Sequence, residues 1–185
     1  MSRQSPAAPD ADRDGVDDRR DQWARELPDV DTRGMAILGR ARLLTLQARS
    51  RIDAVLARHG LEPGEADVIF TLLRAGPPYR LRPTELFRSM MVSSGGMTHR
   101  LNKLTQAGLI TRRAATGDAR SLLVELTEAG RRKAEAAFRE DMALEAELLA
   151  GLSDIEQAQL GHLLRRLHAT LAPAGEAASG VSPDA

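Results

Sequence analysis

Eight basic residues, Arg80, Arg82, Arg88, Arg100, Lys103, Arg112, Arg113 and Arg120, fall in one stretch that carries only Glu85 and Asp118 against them, a local net charge of +6. Over all 185 residues, 26 Lys plus Arg balance 26 Asp plus Glu and the formal net charge is zero. The neutrality is therefore a sum of opposite segments, since residues 121–156 hold four basic residues against nine acidic ones, a net of −5. Clustered guanidinium groups neutralise phosphates and release their counterions, which supplies sequence-independent affinity for nucleic acid. A solvated charged face is the other reading of the same residues. What favours DNA is that the basic stretch coincides with two helices joined by a tight turn and followed by a hairpin.

Other chemistries find little support. The chain has no cysteine, which excludes a disulfide framework, a thiolate metal site and a cysteine nucleophile. Its histidines, His59, His99, His162 and His168, do not form a pair four apart with an intervening glutamate. Gly95 and Gly96 are not followed by the Lys and Ser or Thr of a phosphate loop. The expectation is a protein that is not an enzyme and needs no metal or cofactor. No apolar run approaches the roughly 20 residues that span a bilayer, and the N-terminus is acidic and polar where a signal peptide is basic and then apolar. The expected location is the cytoplasm, on the nucleoid.

The elements that must position the basic stretch follow from composition and spacing. With 42% hydrophobic, 28% charged and 3% aromatic residues, the chain reads as mainly α-helical with a small β-hairpin. Residues 1–20 hold almost nothing large and apolar and read as a tail, and 173–185 read as a second one. A short helix is predicted over Gln22–Glu26 around Trp23, broken by Pro28. Asp31 or Thr32 then caps a longer helix running to Gly60. Pro63 opens the next helix, which Gly76, Pro77 and Pro78 stop, and Arg82, Pro83 and Thr84 start a short one reaching Met91. Ser93 is the predicted N-cap of a helix whose apolar stripe is Met97, Leu101 and Leu104, with Gly108 just past its end. Leu109–Ala114 and Ser121–Leu126 read as strands around a turn at Thr116, Gly117 and Asp118. Thr127 caps a long helix to about Leu149, and Ser153 with Glu156 forms a capping box for a last, leucine-rich helix.

The order and spacing of these pieces resemble a known family. Leu61, Glu62, Pro63 and Gly64, then Leu81 to Leu86, then Ser93 to Thr98, and on through Leu101, Leu104 and Ala107 to Ile110, resemble the winged helix-turn-helix of MarR-type transcriptional regulators. Asp118, Arg120 and Ser121 resemble its wing, and Leu126 to Gly130 its entry to the dimerisation helix. The likeness covers about residues 32–171. It implies one domain over 21–172, with a DNA-binding lobe at 61–127 and dimerisation helices at 21–60 and 128–172. It also implies a homodimer, a repressor by family habit, on a pseudo-palindromic operator. Long leucine-rich stripes on the terminal helices are independently in need of a partner surface.

On this reading Thr98, His99, Asn102 and Lys103 lie off the apolar stripe and face the major groove, where Asn pairs with adenine and Lys with guanine. Ser93, Ser94 and Gly95 at the helix start offer N–H groups to a phosphate. Arg113 and Arg120 serve the wing, Asp118 orienting Arg120, although Ala114, Ala115, Gly117 and Ala119 leave the wing tip without the family's usual arginines. The helix carrying Trp23 resembles a subgroup that responds to urate. The matching ligand positions are Trp23, Asp67, Arg100 and Arg112. A stacking indole with two guanidinium groups suits a flat anionic heteroaromatic such as urate or a related purine. Asp67 and Arg100 can equally form a structural ion pair, with Trp23 pinning the first helix. Phenolic or antibiotic effectors, and a helical adaptor that binds an acidic protein, are the alternative functions.

Overall fold

A computed structural model describes residues 13–90, 96–115 and 118–171. Its elements, in order, are α1 (Gly15–Glu26), a π-helical turn (Met35–Gly39) running into α2 (Arg40–Arg58), α3 (Pro63–Arg74), β1 (Arg80–Leu81), α4 (Pro83–Ser89), α5 (Met97–Gln106), β2 (Ile110–Ala115), β3 (Asp118–Leu126), α6 (Glu128–Leu148) and α7 (Asp154–Leu171). The predicted class holds: the chain is mostly helical with one small antiparallel sheet. That sheet has three strands in the order β1-β3-β2, where the sequence reading has a two-stranded hairpin. Arg80 and Leu81 add the third strand by pairing with Glu125 and Val124. Two residues are too short for a strand period to be visible in sequence.

The chain divides into two compact units, residues 1–137 and 138–185. In the first, one apolar core joins α2, α3, α4, α5 and the sheet through Leu56, Ile69, Leu72, Leu86, Leu104, Ile110 and Val124. Val68, Ile69, Leu72, Leu86 and Val124 are fully buried. The termini of the helices are chemically specified. Pro63 begins α3 while Glu65 Oε2 accepts the Glu62 N–H at 2.9 Å, and Pro83 begins α4 while Glu85 accepts the Arg82 N–H at 2.8 Å. Gly96 precedes α5 at φ 78 and Gly108 follows it at φ 67, conformations that a side chain would strain. Ser93, the N-cap in the sequence reading, lies outside the described residues, and α5 begins at Met97.

The structure departs from the sequence expectation at two places near the N-terminus. The first helix starts at Gly15 and not at Gln22, so the tail does not extend to residue 20. Asp14 caps it, accepting the Val16 N–H at 2.8 Å, and Arg40 holds it by Nε to Asp14 at 2.8 Å and by Nη2 to Asp17 at 2.6 Å. Val16 is 2% exposed against Gly39. Hydrogen bonding to Arg40 keeps both carboxyls below their usual range. Ordering of this segment thus comes from one valine and a charge clasp, which a search for large apolar residues passes over. The second correction is the π-helical turn at the head of α2, which no spacing rule anticipates.

Thr127 seals the junction between α5, β2 and α6. Its N–H donates to Leu109 O at 3.0 Å, its hydroxyl to Gly108 O at 2.7 Å, and its Oγ1 accepts the Gly130 N–H at 2.9 Å. In the second unit, Ser153 and Glu156 form the predicted capping box, with Ser153 N–H to Glu156 Oε2 at 2.8 Å. Ile155, Leu163, Leu164 and Leu171 of α7 are all exposed. Asp141, by contrast, is 7% exposed, and its Oδ1 has no hydrogen-bond partner among the described residues.

Candidate nucleic-acid interface and effector residues

The two faces of α5 differ as an amphipathic period requires. Leu101 and Leu104 are buried in the core, while Thr98, His99 and Asn102 are exposed. α3 packs against both α4 and α5 and fixes the pair from behind. Exposed Arg80, Arg82 and Arg88 come from β1 and the α4 region, and Arg113 is exposed on β2. Ser93, Ser94 and Gly95 lie outside the described residues, as do the side chains of Asp118 and Arg120; the backbone of the latter two belongs to β3.

Lys103 is placed differently from its neighbours. Its ammonium donates to Glu62 Oε1 at 2.5 Å and lies 3.1 Å from Glu65 Oε1, and Glu65 is buried. The lysine therefore ties the middle of α5 to the first turn of α3. The hydrogen bond to Glu62, then that to Glu65, raises Lys103, and Lys103 in turn lowers the Glu62 carboxyl. A lysine in that clasp must exchange two carboxylates for a guanine or a phosphate before it can touch DNA. Glu62 and Glu65 were not singled out by the sequence reading as its partners. Their signal was a pair of carboxylates three apart at a proline-initiated helix start, which by itself reads as ordinary capping.

Asn102 and Arg112 meet across the turn between α5 and β2. Arg112 Nη2 donates to Asn102 Oδ1 at 2.9 Å, joining a residue assigned to DNA with one assigned to the ligand. Arg112 is half-buried, and its Nε is buried with no hydrogen-bond partner among the described residues. Arg100 is half-buried over the first turn of α3, where a Cβ on Gly64 would stand 2.6 Å from its Cζ. Asp67 is half-buried on the same helix. The hollow beside Trp23 is lined by none of these three. Trp23 is 48% exposed and lines that hollow with Leu27, Val30, Asp31, Thr32, Gly34 and Met35, none of which is a predicted ligand residue. Among the described residues α1 packs against the π-helical turn.

Comparison with known proteins agrees with this architecture. Residues 59–121 match the profile of the MarR family. The chain is 32% identical over 152 residues to the HTH-type transcriptional regulator PecS of Dickeya dadantii, covering 82% of this chain and 92% of that protein. It is 30% identical over 120 residues to the HTH-type transcriptional repressor YetL of Bacillus subtilis, covering 63% and 71% of the two chains. In fold it is similar to Sco3205 of Streptomyces coelicolor, a MarR family regulator solved in complex with DNA, with a TM-score of 0.66, 21% identity and coverage of 80% and 93%.

Proposed function

Because the chain belongs to the MarR family of DNA-binding transcriptional regulators, we propose that it acts as a homodimeric repressor, lifted from a pseudo-palindromic operator by a small anionic aromatic ligand. The observation that carries the DNA reading is the two-faced α5, with Thr98, His99 and Asn102 outward and Leu101 and Leu104 in the core. Arg113 on β2 contributes phosphate affinity beside it, and Arg120 on β3 is assigned the same role. Dimerisation is supported by α7, whose exposed Ile155, Leu163, Leu164 and Leu171 carry apolar area that a second copy would cover. Two-fold symmetry then sets half-sites about one helical turn apart.

The effector reading rests on Arg112. A buried guanidinium N–H without a partner among the described residues favours an anion with an oxygen to spare, and urate or a related purine fits that chemistry. Such an anion would compete with Asn102 Oδ1 for the same guanidinium, so occupancy would reach α5 directly and change operator affinity. Arg100, Asp67 and Trp23 complete the proposed site.

Mobility shift with the DNA upstream of the chain's own gene tests the DNA reading, and a sequence-specific, salt-sensitive shift supports it. Titration of that complex with urate tests the effector, with Arg100→Ala and Arg112→Ala expected to blunt release. Fluorescence of Trp23, the single tryptophan, separates ligand binding from DNA binding. Release that is unchanged in both arginine variants would remove them from the site, and no release by any purine would turn the search to phenolic ligands.

A further inference from the structure

We infer that Arg112 is a specificity-positioning residue: by holding the oxygen of Asn102 it turns that side chain from an adenine reader into a reader of guanine. The inference rests on the reading that α5 lies in the major groove, and it concerns which base edge Asn102 accepts there.

The contact itself is a single hydrogen bond, from Arg112 Nη2 to Asn102 Oδ1 at 2.9 Å. Its consequence follows from the donor inventory. A guanidinium has five N–H donors and no acceptor, so the amide atom facing it must be the oxygen. The orientation of the Asn102 amide is thereby chemically determined, and its NH₂ group is turned away from β2. Asparagine recognises adenine with both ends at once, the oxygen accepting from N6 and the amide nitrogen donating to N7. An oxygen held by a cation on the wing strand is drawn off that geometry. What Asn102 then presents outward is a pair of donors. Guanine offers the matching edge, with acceptors at both N7 and O6.

The arrangement around Arg112 keeps this contact in place. Its Cα is paired with fully buried Val124 in the centre of the sheet, and the side chain is half-buried, with Nε inaccessible to solvent. Asn102 is exposed on α5, with Leu101 beside it locked in the core. The base-reading atom is mobile only about its own side-chain torsions, and Arg112 removes that freedom. The effect resembles that of a second residue orienting a first, a device by which side chains gain discrimination beyond their own inventory.

The test uses the full chain and a set of operators in which each base pair of one half-site is exchanged symmetrically, read by fluorescence anisotropy. Wild-type protein should prefer guanine over adenine at one position by about tenfold, the order of one good base contact. Hypoxanthine, which keeps O6 and N7, should replace that guanine without loss, and 7-deazaguanine should not. These arms need no variant. Arg112→Met should move the preference at that position toward adenine, Asn102→Ala should flatten it, and the double variant should match Asn102→Ala. Adenine preferred by the wild-type protein at the Asn102-dependent position would overturn the inference, and so would a wild-type profile in folded Arg112→Met protein. If Asn102→Ala changes binding at no position, the placement of α5 in the major groove falls, and this inference falls with it.

Discussion

Gly130→Ala tests the junction that ties the DNA-reading helix to the rest of the first unit. Gly130 lies in the first turn of α6, and a methyl placed there would overlap the Leu109 carbonyl oxygen and stand 2.8 Å from its carbon. The obstacle is backbone, so no rotamer change relieves it. Overpacking of this kind costs about 1–3 kcal/mol. Leu109 O must also withdraw from the Thr127 N–H, now at 3.0 Å, and Gly108 O from the Thr127 hydroxyl, at 2.7 Å. Each such hydrogen bond contributes about 0.5–1.5 kcal/mol. Against this, alanine is the better helix former by about 1 kcal/mol. The net expectation is a loss of about 1–5 kcal/mol, centred near 3, or a melting midpoint lowered by roughly 6–12 °C for a chain of this length. Thermal denaturation followed by circular dichroism measures it. Since helix propensity alone predicts a rise, a Gly130→Ala midpoint equal to or above wild type would refute the close-packed junction. Leu109 N–H closes the end of α5 on Leu104 O at 2.9 Å, so weaker operator binding should accompany the loss.

Arg40→Gln removes the three hydrogen bonds of the clasp on α1, so limited proteolysis between residues 20 and 33 should accelerate and Trp23 emission should change; unchanged digestion would mean that the helix holds without the clasp. Because Asp14 and Asp17 are held below their usual range, that clasp should be complete above the ordinary aspartate pKa and lost as pH falls through the lowered values. Asp141 behaves oppositely: burial raises it, and burial followed by the Asp141 charge raises Glu145. The folded chain then binds these protons more tightly than the unfolded one, so their contribution is most favourable at acid pH and declines as pH rises through the raised values. Asp141→Asn should resist urea better than wild type at neutral pH, with the gap closing in mild acid; a gap that is absent or reversed contradicts this. Arg113→Ala should lower the slope of log affinity against log salt by about one, whereas Asn102→Ala should weaken specific binding with the slope unchanged.

Much of the helical architecture was legible because its punctuation is local. Pro63, Pro83, Gly108, Thr127 and the Ser153 and Glu156 pair each mark a helix end by chemistry that acts within three or four residues. The outward face of α5 was legible for the same reason, since the buried stripe leaves Thr98, His99 and Asn102 no other side. What escaped was set by contacts far apart in sequence. Arg40 reaches back 26 residues to Asp14 and extends α1 by two turns, and Lys103 reaches 41 residues to Glu62. Arg112 and Asn102 are only ten residues apart but meet across a turn whose geometry no periodicity encodes. Trp23 was assigned by likeness to a ligand set, and in this chain it faces a hollow built from the segment that follows its own helix. Likeness located the residue and left its surroundings open.

On this reading a two-fold pair of these chains reads one pseudo-palindrome through α5. Footprinting of the full chain on the DNA upstream of its gene, with wild-type and Asn102→Ala protein side by side, decides this. Two protected half-sites are expected, with centres about 10–10.5 base pairs apart or a multiple of that, both weakened together by Asn102→Ala. A single protected site, or a paired footprint indifferent to Asn102→Ala, would contradict it.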